Sequence, residues 1–358
     1  MKIDYLKQVA TNILNQEIKE NNIDVNYKVL SGNEFDKYRK KFNIKRSDNN
    51  SFYDEECNTI FIVIGNDVNL DDRDFFDLIF ECFHEIRHAV QKNFIKNSYE
   101  GFFYFIDDIN SYNSFDYNNI SHDGYFFEID AEIYSVNKIR GYLKEKFPEK
   151  YKNFIEEINL IEEIRNLEYL LYNTTSRFNI FMSKFKYNLR IGRIKWNKEE
   201  DDDIVIPSLF NVFLNCDGSF KTISEIINNE KFNDIDNRIV YAVVSSKMFL
   251  DTVDYSNLSS FELSFLEGVL NYSNGLNNKQ IILKKELFNK RRKLYIYRMN
   301  NEDSLFGKLY LTDRLNLDIL LYNIRFNDFY KKDSNFFRNI ALKKINNLII
   351  KNDQMAKK

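Results

Sequence analysis

The chain has 358 residues, enough for two or three domains. Its 51 Lys and Arg against 54 Asp and Glu leave a net charge of -3, which excludes a globally basic nucleic-acid binder. Hydrophobic residues at 44% and aromatics at 16% exclude a disordered chain. Asn, Lys, Ile, Phe and Tyr are abundant, while the chain holds only 3 His and 2 Pro, so the scarce residues carry the information.

The first elements read clearly. Residues 3–20 are an amphipathic helix with Leu6, Val9, Ile13 and Ile18 on one stripe. Ile23–Leu30 alternates like a half-buried strand, and Glu34–Phe42 reads as helix. After the polar stretch Arg46–Ser51 comes a strand, Thr59–Ile64 (TIFIVI), placed as an edge that an extended peptide can pair with. Asp71 and Asp72 stand where an N-cap and first-turn acid begin a helix. That helix is expected to run to about Asn93, with Ile79, Phe83, Ile86 and Val90 on its buried side.

Asn97–Asp123 reads as a long excursion with an aromatic interior. A helix over about Phe126–Lys146 stops near Pro148, and Phe154, Ile158, Ile161, Ile164, Leu167 and Leu171 mark another. Asn179–Trp196 returns against it as a hairpin. The acidic run Glu199–Asp203 is the expected linker. Beyond it, Ile204–Ile206 and Arg238–Val244 are apolar runs. Leu294–Tyr297 and Leu309–Leu311 are strand-like, and Phe336–Ile350 is a terminal helix. The expected division is 1–148, a helical connector over 149–198, and a module over 204–358.

Cys57, Cys82 and Cys216 are odd in number and widely spaced, which argues against a disulfide framework and for a reducing compartment. The start MKIDYLKQVATNIL is not a signal peptide, and no run of about 18 apolar residues exists. A cytoplasmic protein without a membrane partner is expected.

Two of the three histidines fall in His84-Glu85-Ile86-Arg87-His88. Positions i and i+4 of a helix lie one above the other, so both imidazoles can face one metal, with Glu85 placed to reach a metal-bound water. Two neutral nitrogens and one carboxylate, with one position open, suit Zn²⁺. The carboxylate is expected from Glu128-Ile129-Asp130-Ala131-Glu132, where Glu128 and Glu132 share a helix face. Glu128 is the expected third metal ligand and Glu132 the acceptor of a histidine N–H. Ala131 is small enough for close helix packing. His122 is a rival third ligand or an oxyanion stabiliser, a task also open to Tyr112, Tyr117 and Tyr125. Arg87 reads as a solvated arginine, with Asp130 or Glu132 as a possible ion-pair partner, and Gln91 as a helix-surface amide.

HEIRH followed by Glu128-x-x-Ala131-Glu132 resembles the gluzincin metallopeptidases, whose pattern is H-E-x-x-H, an insert, then E-x-x-x-D/E. Residues from about Phe52 to Tyr134 look most like metallopeptidases of mobile elements and phages of Gram-positive bacteria. ImmA/IrrE-type peptidases, lethal-factor-like toxins and Pro-Pro endopeptidases are more distant comparisons. The resemblance covers roughly the first 150 residues. It implies an α+β, zincin-like metallopeptidase domain with a small mixed sheet and two active-site helices, followed by the connector and a C-terminal α+β module. It also implies zinc on His84, His88 and Glu128, Glu85 as the base, and a protein or peptide substrate. The gap from His88 to Glu128 is longer than in compact ImmA-type enzymes, and Glu132 replaces the more usual Asp.

Two other function classes stand beside a peptidase. One is a catalytically silent regulatory protein on the same scaffold, with Lys290–Lys293 and the following Tyr295 and Tyr297 as its argument for nucleic acid. The net charge and adjacent acids weigh against nucleic acid. The other is a metallopeptidase toxin or effector, with the C-terminal module choosing the target.

Overall fold

The structure, a computed structural model, describes residues 2–42, 50–66, 71–92, 99–111, 125–172, 174–196, 204–324 and 330–355. The chain divides into two compact units, Met1–Phe94 with Ser121–Tyr169, and Ile95–Ile120 with Leu170–Lys358. The first unit is α+β: a small three-stranded mixed sheet among helices.

Helix α1 (Ile3–Asn21) buries Leu6, Val9, Ala10, Ile13 and Leu14, and ends at Asn22, whose φ of 50° turns the chain toward the sheet. Strand β1 (Asn26–Ser31), helix α2 (Gly32–Phe42), strand β2 (Phe52–Asp54) and strand β3 (Thr59–Ile64) follow. The sheet order is β1-β3-β2. β1 runs parallel to β3 from Asn26↔Thr59 to Ser31↔Ile64, and β2 runs antiparallel with Phe52↔Phe61. All six residues of β3 are buried, as a nearly unbroken apolar run requires when both faces are covered. Phe35, Phe52 and Phe61 close the core over one face.

This placement corrects the expectation of an edge strand. β3 is central through Phe61, and just beyond, the Val63 N–H donates to the Ser51 hydroxyl at 3.1 Å. The three residues of β2 are too few to show a period of two. Its turn back to β3 depends on Asn58, at φ 46°.

Helix α3 (Asp72–Gln91) begins as expected. The Asp71 carboxylate accepts from the N–H groups of Arg73 and Asp74, and Asp74 reciprocates on the Asp71 N–H, a full capping box. Ile79, Phe83, Ile86 and Val90 are buried. Helix α4 (Tyr99–Ser111) belongs to the second unit, whereas helix α5 (Phe126–Lys146) packs against α3. Only Phe147 separates α5 from helix α6 (Pro148–Leu171), because Pro148 ends one helix and is pre-set for the first position of the next. Arg73 clamps the buried Glu157 carboxylate through Nη1 at 2.7 and 2.6 Å, tying the start of α3 to α6.

The second unit is mostly helical. α4 and helix α7 (Thr174–Arg190) bury Phe102, Phe105, Phe178 and Phe181 around Phe210. The described part of the excursion over 97–123, Tyr99–Ser111, thus has the expected aromatic interior, but belongs to the second unit. Asn179–Trp196 is largely α7. Strands β4 (Ile194–Lys195) and β5 (Ile204–Val205) are two residues each. Three short helices follow, α8 (Ile223–Ile227), α9 (Asn237–Val244) and α10 (Lys247–Leu250). Long helices α11 (Ser260–Asn301), α12 (Leu305–Ile324) and α13 (Tyr330–Met355) complete the unit. The strand readings of Leu294–Tyr297 and Leu309–Leu311 are therefore wrong: both lie inside long helices, since runs of three or four apolar residues do not distinguish strand from helix. The acidic run Glu199–Asp203 lies outside the described residues. Among the described residues no helix is long and apolar enough to cross a membrane.

Ala131 lies on the side of α5 that also presents Phe127 and Glu128 and is wholly buried. Ala131→Leu should destabilise the fold by about 1–3 kcal/mol through overpacking. Chemical denaturation checks this, and an unchanged midpoint would show that the helices have room to spare.

Candidate metal centre

His84 and His88 project from consecutive turns of α3, and Glu128 projects from the first turn of α5. One ligand atom from each lies within 4.8 Å of the others, and the three are the residues that could hold a metal ion among those described. The two Nε2 atoms are 2.9 Å apart, Glu128 Oε2 is 3.1 Å from His84 Nε2, and Oε1 is 3.5 Å from His88 Nε2. Phe80 stacks on His84 and Phe127 meets His88 edge-on, so aromatic walls flank both rings. Glu85 is buried beside them, 7% exposed.

The electrostatics show what this cluster demands. Burial disfavours a charged His88, yet its hydrogen bond to Glu128 and the carboxylates of Glu85 and Glu128 outweigh that cost and lift it to about 9. Burial likewise opposes ionisation of Glu128, but its bonds to His84 and His88 hold it well below the usual carboxylate range. Two imidazole nitrogens and a carboxylate converge on one point. The donor set of two imidazoles and one carboxylate fits a divalent cation there.

Glu132 takes a different place from the one expected. Arg165 of α6 holds it in a fork, Nε to Oε2 and Nη2 to Oε1 at 2.6 Å, and also binds Glu168. Both Glu132 oxygens are taken up, so it braces α5 against α6 and does not orient a histidine. The histidine N–H contact belongs instead to Gln91, whose Oε1 is 2.8 Å from His88 Nδ1. Gln91 is 6% exposed, not a surface amide. Arg87 is not solvated: it grips Asp130 through Nε at 2.7 Å and Nη2 at 3.1 Å.

Tyr125 precedes the first turn of α5, and its ring stacks on Phe127, one ring removed from His88. His122, Tyr112 and Tyr117 lie outside the described residues. Glu81 is a second group that sequence reasoning missed. It lies one turn before His84 and accepts from the Ser51 hydroxyl at 2.6 Å. Burial raises it to about 7, against that hydrogen bond and with help from Glu85 and Asp77. Its spacing, three before His84 and four before Glu85, was the available signal. No family model, curated protein or solved structure matches the chain.

Glu132→Ala should cost roughly 3–5 kcal/mol, because Arg165 loses its main partner. Metal affinity should change far less than the ~10–100-fold that removal of a ligand-orienting group costs; thermal unfolding and metal titration of one variant test both. The pH dependence of the metal-free chain follows from proton linkage. Folded Glu81 holds its proton to about 7 against 4.5 in the unfolded chain, and folded His88 to about 9 against 6.5. The folded state binds more protons across both windows, so stability falls as pH rises through each. The Tm of metal-free protein should drop between about pH 5 and about pH 9, and Glu81→Gln should flatten the lower half of that drop. A Tm that rises over this range would contradict the assignment.

Proposed function

We propose that this chain is a zinc-dependent peptidase of the gluzincin type, with a zincin-like first unit and a protein or peptide substrate. The observation that carries the reading is the convergence of His84, His88 and Glu128 from two helices on one point, with the buried Glu85 next to them. A structural zinc site closes its fourth position with another protein ligand, whereas three ligands and a neighbouring carboxylate are the arrangement of a hydrolytic one.

Zinc bound there supplies Lewis acidity, lowering the pKa of a water to roughly 7 and polarising the scissile carbonyl. Glu85 would take the proton from the attacking water as its oxygen adds to the carbonyl carbon, and would deliver it to the nitrogen of the departing amine. The C–N bond would break with the second proton of the water passing to the same nitrogen, so that the products are a carboxylate and an ammonium. His84, His88 and Glu128 fix the ion relative to Glu85, whose place on the same helix as both histidines makes that geometry rigid. Tyr125 and His122 are the residues proposed to steady the developing oxyanion.

Glu85→Gln should keep near-unit zinc and lose about 10²–10⁴-fold in peptide hydrolysis. His84→Ala and Glu128→Ala should each lose the zinc. Undiminished turnover in Glu85→Gln would overturn the mechanism, and zinc retained in Glu128→Ala would overturn the ligand assignment.

A further inference from the structure

His88 and Gln91 stand one turn apart on α3. An amide presents an oxygen that only accepts and a nitrogen that only donates. Gln91 Nε2 donates to two groups of α5, the Phe127 carbonyl oxygen and Asp130 Oδ2, both at 2.8 Å. With the nitrogen engaged there, the oxygen faces His88, so His88 Nδ1 must carry the hydrogen of that 2.8 Å contact. A neutral imidazole protonated on Nδ1 leaves its lone pair on Nε2. That is the atom turned toward His84 and Glu128. Asp130 is itself fixed by Arg87, and both side chains of that pair are only 17% exposed, so water competes weakly for either.

We propose that Gln91, braced by Asp130 and Arg87, is the positioning residue that sets the ring orientation and tautomer of His88 for metal binding. The proposal rests on the reading of His84, His88 and Glu128 as metal ligands. Elsewhere a carboxylate commonly performs this task and adds its charge to the site. Here the acceptor in contact with the ring is neutral, and the nearest charge behind it, Asp130, is cancelled by Arg87. The two histidines are thereby unequal. His84 Nδ1 is buried with no hydrogen-bond partner among the described residues, so His84 is placed by Glu128 and by packing on Phe80.

The test is zinc affinity against a competing chelator, measured on the full chain for wild type, Gln91→Leu and Gln91→Glu. Gln91→Leu should bind zinc 10–100-fold more weakly, while Gln91→Glu, which keeps an acceptor oxygen toward Nδ1 but turns its second oxygen on Asp130 and the Phe127 carbonyl, should recover only part of the loss. Proton NMR of the zinc-loaded chain supplies a readout that a general loss of packing does not move selectively. The His88 ring N–H should resonate downfield of that of His84 in wild type, and move upfield in Gln91→Leu while the His84 signal stays in place. If Gln91→Leu does not fold, the wild-type spectrum decides alone, and a His88 signal no further downfield than that of His84 overturns the proposal. Unchanged zinc affinity in a folded Gln91→Leu overturns it with the metal site intact. A wild-type chain that binds no zinc overturns the metal-site reading itself.

Discussion

The fork between Arg87 and Asp130 is the joint on which the candidate site depends. Helix α3 carries His84, Glu85, His88 and Gln91, and α5 carries Glu128, so the cluster exists only in one relative placement of the two helices. Hydrophobic packing alone tolerates small slides between helices; a two-point guanidinium–carboxylate bond does not. Such a pair costs desolvation and adds little net stability, and its value here is in fixing register. The joint extends further. The Arg87 guanidinium lies over the Tyr134 ring at 5.3 Å, and the Tyr134 hydroxyl donates to Glu17 of α1 at 2.5 Å. Lys138 reaches the same carboxylate. Three helices are thus linked through one run of polar contacts that ends at the His88 ring.

Much of this was legible in the sequence because the relevant physics is local. The pairing of His84 with His88 follows from helical periodicity, the start of α3 from the capping chemistry of Asp71, and the break between α5 and α6 from Pro148. Glu128 was reachable by the same face argument, since it needs only a helix and a direction. That argument also chose Glu132, and there it failed. Spacing places Glu128 and Glu132 on a common side but does not say which neighbouring helix each one meets, and Arg165 comes from α6. Gln91 and Glu81 were overlooked for a related reason. Glutamine and glutamate are ordinary on an amphipathic helix, and their roles appear only when Phe127, Asp130 and Ser51 are brought against them from elsewhere in the chain.

The second unit was less legible than the first. Its helices α11 to α13 are amphipathic in patches, with polar residues interrupting each apolar run, so short windows suggested strands inside helices of 42 and 20 residues. Its interior also contains charge that composition does not announce: Asp107 is fully buried and receives Arg177 Nη1 at 2.8 Å and the Tyr172 hydroxyl at 2.6 Å. The basic cluster Lys290–Lys293 lies within α11, where Arg291 comes to 4.0 Å from Asp318 of α12. Its charge is partly spent within the unit.

The neutral acceptor behind His88 bears on which ions the centre can accommodate. With Asp130 paired to Arg87, Gln91 reaches the His88 ring without bringing a charge of its own. Glu81, one turn before His84, is held protonated by burial up to about 7, so its carboxylate adds charge only above that pH. Every carboxylate added to such an enclosure raises the positive charge an ion must bring to balance it. In surroundings of low polarisability each unit of imbalance is expensive. On the proposed reading of the site as a metal centre, an amide where a carboxylate would stand keeps one negative charge out of the pocket and lowers the valence of the ion it would balance.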